Sequence, residues 1–190
     1  FWKVWHSRAP IADYNTTRSR FFSEYGFQSF PEYASVLRFA PEERDWDIES
    51  EGMMAHQRGG DFDNMRIRQY LEDEYWPARD FRTFLYMSHV LQGDAIKTAI
   101  EAHRRDKPYC WGSLFWQHND CWPVASWASR DWYGRWKAQH YFARPAFDDI
   151  LVSPLAEGNT LNVRLVSDRR KTVRGKLRIT VMDMDGALLS

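Results

Sequence analysis

The chain has 190 residues, 44% hydrophobic and 27% charged, which is enough to bury one sizeable core and unlike the composition of a disordered segment. Its 26 Lys and Arg are offset by 26 Asp and Glu, so the formal net charge is zero and nothing electrostatic favours nucleic acid or an anionic membrane as a partner. The two cysteines, Cys110 and Cys121, lack CxxC spacing, and no apolar run approaches the roughly 18 residues of a membrane span; no metal, no cofactor and no membrane partner are expected.

Residues 1–18 are aromatic and irregular, with Trp2, Trp5, His6, Pro10 and Tyr14 among polar neighbours, and read as a strand end and a loop. The stretch Arg20-Phe21-Phe22-Ser23-Glu24-Tyr25-Gly26-Phe27-Gln28-Ser29-Phe30-Pro31 begins as a short buried strand. Gly26 and Pro31 limit its length, which puts Glu24 near a strand end among aromatic and amide side chains. Carbohydrate recognition needs such a setting, because sugar C–H faces pack on rings while hydroxyls take hydrogen bonds. An ion-paired or exposed strand-end glutamate has the same local signature.

After Pro31, the spacing of Tyr33, Val36, Leu37 and Phe39 predicts a short helix over Glu32–Phe39, ended by Pro41. Residues 41–60 read as a long polar connecting loop that carries His56 and Gln57. Asp61 is the expected cap of a helix running to about Tyr75. Phe81, Phe84, Leu85, Leu91, Ala95, Ile96, Ala99 and Ile100 predict an amphipathic helix that Gly93 weakens or breaks midway. Pro108 opens Tyr109–Trp116, an apolar run short enough for a buried strand, and Asp131–Tyr141 reads as a closing helix stopped by Pro145. Alternation of strand, helices and strand predicts a parallel α/β arrangement with ligand sites at the carboxyl ends of the strands, where Glu24 and the Trp116–Asp120 group fall. From Phe147 onward Ile150–Val152, Leu161–Val166 and Leu177–Val181 predict strands opening an antiparallel sandwich.

Two blocks carry more than local chemistry. Ser23-Glu24-Tyr25-Gly26-Phe27-Gln28-Ser29-Phe30-Pro31 closely resembles the nucleophile segment of the beta-mannosidases in glycoside hydrolase family two. Trp111-Gly112-Ser113-Leu114-Phe115-Trp116-Gln117-His118-Asn119-Asp120-Cys121-Trp122-Pro123 is similar to that family's final barrel strand and the loop after it. His56-Gln57 and Asp131-Trp132-Tyr133-Gly134-Arg135-Trp136-Lys137-Ala138 also match, so the resemblance covers most of residues 1–150.

The resemblance implies an α/β fold: the C-terminal portion of a (β/α)8 TIM barrel over residues 1–146, then the beginning of an immunoglobulin-like β-sandwich over residues 147–190. It also implies a retaining, exo-acting enzyme that removes terminal beta-D-mannosyl residues through a covalent intermediate on Glu24. Trp116 is then the sugar platform, and Asn119 and Asp120 are hydroxyl partners, although both residues also suit a turn before Pro123. Trp5 with His6, and His56 with Gln57, are candidates for the cleft wall; Tyr25 and Gln28 either orient Glu24 or pack beneath it.

The family's general acid/base stands in an Asn-Glu motif, and no such dipeptide occurs in this sequence. A complete barrel also needs about 250 residues. The expectation is a section of a longer enzyme, with the rest of the parent chain as its partner, a beta-mannoside or oligosaccharide as substrate, and no hydrolysis by this chain alone. Beta-galactosidase or beta-glucuronidase specificity, a non-catalytic carbohydrate-binding domain and a structural interaction domain remain open alternatives. Beginning at Phe1, the sequence does not indicate a compartment.

Overall fold

In the computed structural model, which describes residues 1–60 and 62–189, two short strands fix the geometry of the first three quarters of the chain. β1 (Phe21–Phe22) and β2 (Gly112–Ser113) pair in parallel, Phe21 opposite Gly112 and Phe22 opposite Ser113. Backbone bonds carry the pairing past both ends: Trp111 N–H to Arg20 O at 2.9 Å, Leu114 N–H to Phe22 O at 2.9 Å and Trp116 N–H to Tyr25 O at 2.7 Å. The parallel arrangement expected from the alternation is therefore present. The regular ladder is shorter than Tyr109–Trp116, because a strand extends only as far as its partner matches it and each of these has one partner among the described residues.

Parallel partners need a crossover, and here it consists of α2 (Tyr33–Val36), α3 (Glu51–Ala55), α4 (Asp63–Glu74) and α5 (Phe81–Arg105). The predicted helix over Glu32–Phe39 is α-helical only in α2, with turn bonds continuing to Ala40. Residues 41–60 are not the plain loop expected; they contain a 3-10 turn at Glu43–Asp45 and α3, whose Ser50 hydroxyl accepts from Met53 N–H at 3.2 Å. The cap predicted at Asp61 lies outside the described residues. α5 is one unbroken helix of 25 residues, capped by the Asp80 carboxylate on Thr83 N–H at 2.7 Å and closed by Arg104 and Arg105 against its dipole. Gly93 does not interrupt it. A Cβ there would stand 2.7 Å from the Phe142 ring, so the glycine marks the close approach of α6 (Ala138–Ala146).

Four other expectations are corrected. Residues 1–18 form α1 (Lys3–Ser7) and a 3-10 turn at Ile11–Asn15, which bury Val4, Trp5, Ile11 and Tyr14 in the core. The closing helix begins at Ala138 rather than Asp131: the Asp131 carboxylate takes Arg135 N–H at 2.8 Å, Gly134 sits at φ +84°, and Lys137 N–H bonds Ser129 O at 2.8 Å, which together make a loop. Pro145 lies inside the last turn of α6, so it is not the stop. Beyond it, β3 (Ile150–Glu157) and β4 (Thr160–Ser167) form a fully registered antiparallel hairpin turning at Gly158, φ +59°, with Leu151 and Val166 facing each other in its only well-buried cross-strand apolar pair among the described residues. The strand predicted over Leu177–Val181 does not form. Leu177, Ile179 and Val181 are about half exposed, and apolar alternation makes no strand without a partner to pair with. The whole is a mixed α/β architecture whose core lies between α5, the β1 segment and α1.

Candidate active site

Glu24 stands just beyond the carboxyl end of β1 and Trp116 just beyond that of β2, and the Trp116 N–H bond to Tyr25 O makes them next-door neighbours. Glu24 is half-buried, and its Oε2 accepts a hydrogen bond of 2.9 Å from Trp2 Nε1. Trp116 is 39% exposed, so a large part of its indole is open. Gly26 explains how the rings come so close. A Cβ at that position would lie 2.5 Å from the Trp116 backbone O, 2.9 Å from Trp127 Cδ1 and 3.0 Å from Trp2 Cη2, so only glycine lets the Trp2 and Trp127 rings and the Trp116 backbone close on the segment that carries Glu24. Trp2 and Trp127 meet edge to face at 5.8 Å, and His6 leans on Trp2 at 5.0 Å.

Trp2 and Trp127 were not among the residues singled out for this site. Trp2 belonged to an aromatic stretch with no feature separating it from Trp5, and Trp127 follows Trp116 by a loop that folds back on it. Trp5, the expected cleft residue, is 0% exposed and packs against Phe27 at 4.9 Å and Tyr70 at 6.2 Å. Because this segment is helical, α1 turns Trp5 into the core, and a ring without an open face is no platform; the assignment of Trp5 to the cleft is corrected.

His56 and Gln57 are both held by protein partners. His56 Nδ1 meets Pro123 O at 2.6 Å and its ring stacks on Phe39 at 4.1 Å; Gln57 donates to Asn64 Oδ1 and accepts from Gly59 N–H at 2.9 Å. With Ala125 N–H bonded to His56 O at 2.8 Å, the pair joins its own loop to the one following β2. Tyr25 is buried with its hydroxyl on Ser113 Oγ at 2.8 Å, and burial pushes the phenol pKa up. The same Ser113 oxygen meets His103 Nδ1 at 2.8 Å, and burial pushes that imidazole down to about 3. Gln28 is buried and donates to Asp63 Oδ2 at 2.7 Å. Neither Tyr25 nor Gln28 hydrogen-bonds Glu24, so the orienting alternative gives way to packing beneath it.

Asn119 is exposed and donates to Asp120 O at 3.1 Å. Asp120 is 4% exposed; Oδ1 accepts from Ser126 Oγ at 2.6 Å while the buried Oδ2 has no partner among the described residues. Burial raises its carboxyl above the usual range, and Lys137 is the chief opposing influence. Lys137 is fully buried and donates to Ser29 O and Ser126 O, both at 3.0 Å. Desolvation lowers it to about 8 against the pull of Asp120 and Asp131. Ser29 and Ser126 also exchange backbone bonds of 3.0 and 3.1 Å. One ammonium thus fastens the segment that carries Glu24 to the loop that carries Asp120. Beneath them Gln92 of α5 donates to Phe27 O at 2.8 Å and accepts from Ser29 Oγ at 2.8 Å, so the layer under the carboxylate is held by hydrogen bonds as well as packing. Among the described residues no group of three His, Cys, Asp or Glu side chains is arranged to hold a metal ion, and no helix is long and apolar enough to cross a membrane.

No protein-family profile matches the chain. Among curated proteins it is 32% identical to the beta-mannosidase of Rattus norvegicus over 85% of this chain and 20% of that protein. It is 28% identical to beta-mannosidase B of Aspergillus niger over 97% of this chain and 24% of that protein. The structure of the beta-D-mannosidase from Dictyoglomus thermophilum matches 88% of this chain and 21% of its own, with a TM-score of 0.82 and 34% identity. The exo-chitosanase of Amycolatopsis orientalis shares the fold over 82% of this chain, with a TM-score of 0.64 at 15% identity. The chain therefore spans between 20% and 24% of the length of these curated relatives.

Proposed function

Starting from a chain that belongs to the beta-mannosidase family, we propose that it is the nucleophile-bearing section of a retaining exo-beta-mannosidase. The observation that carries this reading is Glu24 itself: a half-buried carboxylate at the end of a parallel strand, with one oxygen on Trp2 Nε1 at 2.9 Å and the open Trp116 indole at the end of the neighbouring strand. The Trp2 bond leaves Oε1 for attack on the anomeric carbon. In the first step a covalent bond forms between that oxygen and the sugar as the glycosidic bond breaks and a general acid protonates the departing oxygen. In the second, the same acid, now a base, takes a proton from water, which displaces Glu24 with net retention.

We assign the acid/base to a carboxyl group supplied from outside this sequence, about 5–5.5 Å from Glu24 in the assembled site. Trp116 is the platform for the cleaved mannosyl residue. Asn119 offers an exposed amide to hydroxyls, and Asp120 contributes from below through its buried carboxylate. For the architecture, we read residues 1–146 as the C-terminal part of a (β/α)8 barrel and residues 147–190 as the start of an immunoglobulin-like sandwich. The parallel pair with its helical crossover, the end of α6 at Ala146 and the antiparallel hairpin after it support that division.

A 2-fluoro-mannoside with a good leaving group tests the assignment in the full-length protein that carries this chain. Mass mapping is expected to find the mannosyl adduct on Glu24, and Glu24→Gln to remove it without changing the circular dichroism spectrum. Labelling of any other residue, or normal turnover by the Gln variant, sinks the proposal. The 190-residue chain alone is expected to show no turnover, since leaving-group protonation contributes about 10²–10⁴-fold.

A further inference from the structure

Pro77 ends the chain's course out of α4, and the turn from there into α5 closes a cavity in which the catalytic reading has no part. It holds about 350 Å³ between the end of α4, the start of α5 and residues 46–48, and its walls include Trp46, Trp76 and Phe81. The Trp46 and Phe81 rings are within 5° of parallel with centroids 6.3 Å apart. On their other side a second cavity of about 410 Å³ continues past Tyr33 and Arg82, so these two rings with Asp80 divide one groove into two compartments of ligand-sized volume.

Trp76 is 87% exposed, a large apolar face left in water at the mouth of the first compartment. A single exposed aromatic needs no explanation, but one at the rim of an aromatic-lined cavity does. Carboxylates surround it. Asp47 and Glu72 line the compartment and are in no ion pair among the described residues; Asp47 Oδ1 accepts from Glu49 N–H at 2.8 Å, which leaves its Oδ2 and the Glu72 carboxylate to accept from a ligand, while Arg68, the guanidinium in the same wall, is bound to Glu49 at 3.2 Å. Flat rings with uncommitted acceptors suit a pyranose, whose C–H faces stack while its hydroxyls donate. Asp47 and Glu72, in no ion pair among the described residues, leave the compartment negative beside one engaged arginine, and Asp80 is itself paired with Arg79 at 3.3 Å, so an acidic sugar is disfavoured.

We propose that this groove is an accessory carbohydrate site that binds a neutral oligosaccharide, separate from the opening at Glu24. Its ligand chemistry is read from the groove's own residues and stands whether or not Glu24 is the nucleophile. No residue lining either compartment is one of those gathered around Glu24. Calorimetric titration of the full-length Glu24→Gln protein with β-1,4-mannotetraose provides the test. Two binding events per chain are expected. Trp76→Ala, a change at an exposed position that leaves folding intact, should weaken one event about tenfold or more, and in the wild-type background should leave turnover of a small aryl beta-mannoside unchanged. Glu72→Gln should weaken the same event by less. An unaltered titration in Trp76→Ala, acrylamide quenching that finds Trp76 shielded by another part of the full-length protein, or tighter binding of a uronic-acid oligosaccharide overturns the proposal. A failed catalytic assignment would appear instead as mannosyl labelling away from Glu24, with the Trp76-dependent event intact.

Discussion

Residues 1–146 and residues 147–189 carry comparable apolar patterns and treat them in opposite ways. In the first region Trp5, Tyr25, Phe27, Phe30 and Ile96 are fully buried around a layer of hydrogen-bonded polar groups. In the second, Leu161, Leu165, Leu177 and Ile179 remain about half exposed, and Leu151 with Val166 is the apolar pair that packs. The difference teaches that periodicity states which face a segment can bury, while burial itself requires a second surface. α5 and α1 supply one to the Glu24 segment; the hairpin has none of that extent among the described residues. Stability and site geometry should accordingly be concentrated in the first region, and three measurements can break that contrast or sharpen it.

The largest effect is expected at Lys137. Replacing it by Ala removes the ammonium that fastens Ser29 to Ser126 and leaves the Asp120 carboxylate buried without its main opposing charge. A loss of about 1–3 kcal/mol is expected for each buried acceptor left unsatisfied by its removal. Chemical denaturation of the Ala variant measures it, and a loss below about 1 kcal/mol would show that water or neighbouring groups replace the ammonium without difficulty.

Acid comes next. Burial lowers His89 to about 4 and His103 to about 3, from ordinary values near 6.5. Between those limits the unfolded chain binds protons that the folded chain excludes, so stability falls as pH drops from about 6.5 toward 4, by up to about 1.4 kcal/mol per pH unit per histidine. Both groups lie in the first region and none of the six histidines in the second. Thermal midpoints measured from pH 7 to 4.5 should decline with that slope, and His89→Gln with His103→Gln should flatten the curve. A flat wild-type profile would contradict the neutral buried state of both rings.

The smallest effect should come from the exposed tail. Leu177→Ser and Ile179→Ser remove apolar atoms that touch water, and each is expected to change stability by less than about 0.5 kcal/mol in this chain. Larger losses would mean that the second region buries what it here exposes, and the contrast between the regions would narrow.

What was legible in the sequence follows the same division. Glu24 before Gly26, Trp116 at the end of an apolar run, α4 and α5 could all be read locally, because a strand end, a proline, a cap and a 3.6-residue period leave their marks within a dozen residues. α1 could not, being a five-residue helix held by Trp5 against Phe27 and Tyr70 rather than by propensity. Residues 131–137 carry a helix-like pattern but form a loop, because the Asp131 side-chain bond and the turn at Gly134 outweigh that pattern. Leu177–Val181 has strand propensity and no partner to pair with. Within the candidate site, Trp2 and Trp127 meet across 125 positions, a contact with no local signature. Lys137 was the least readable, since a lysine at 1% exposure runs against the usual placement of its type.

The joint between Ser29 and Ser126, closed by Lys137, also separates length from position. Every segment from α2 to the end of α5 lies between residues that this joint and the β1–β2 pair already hold in place. Adding or removing turns in the exposed connections there, such as residues 41–44 or 76–79, alters a path whose two ends do not move, and doubling such a loop costs only about 0.6 kcal/mol. The outer wall can therefore be rebuilt by insertion and deletion, compartment by compartment, while the carboxylate keeps its neighbours. In this architecture the rim is free to diversify because the floor beneath it is latched.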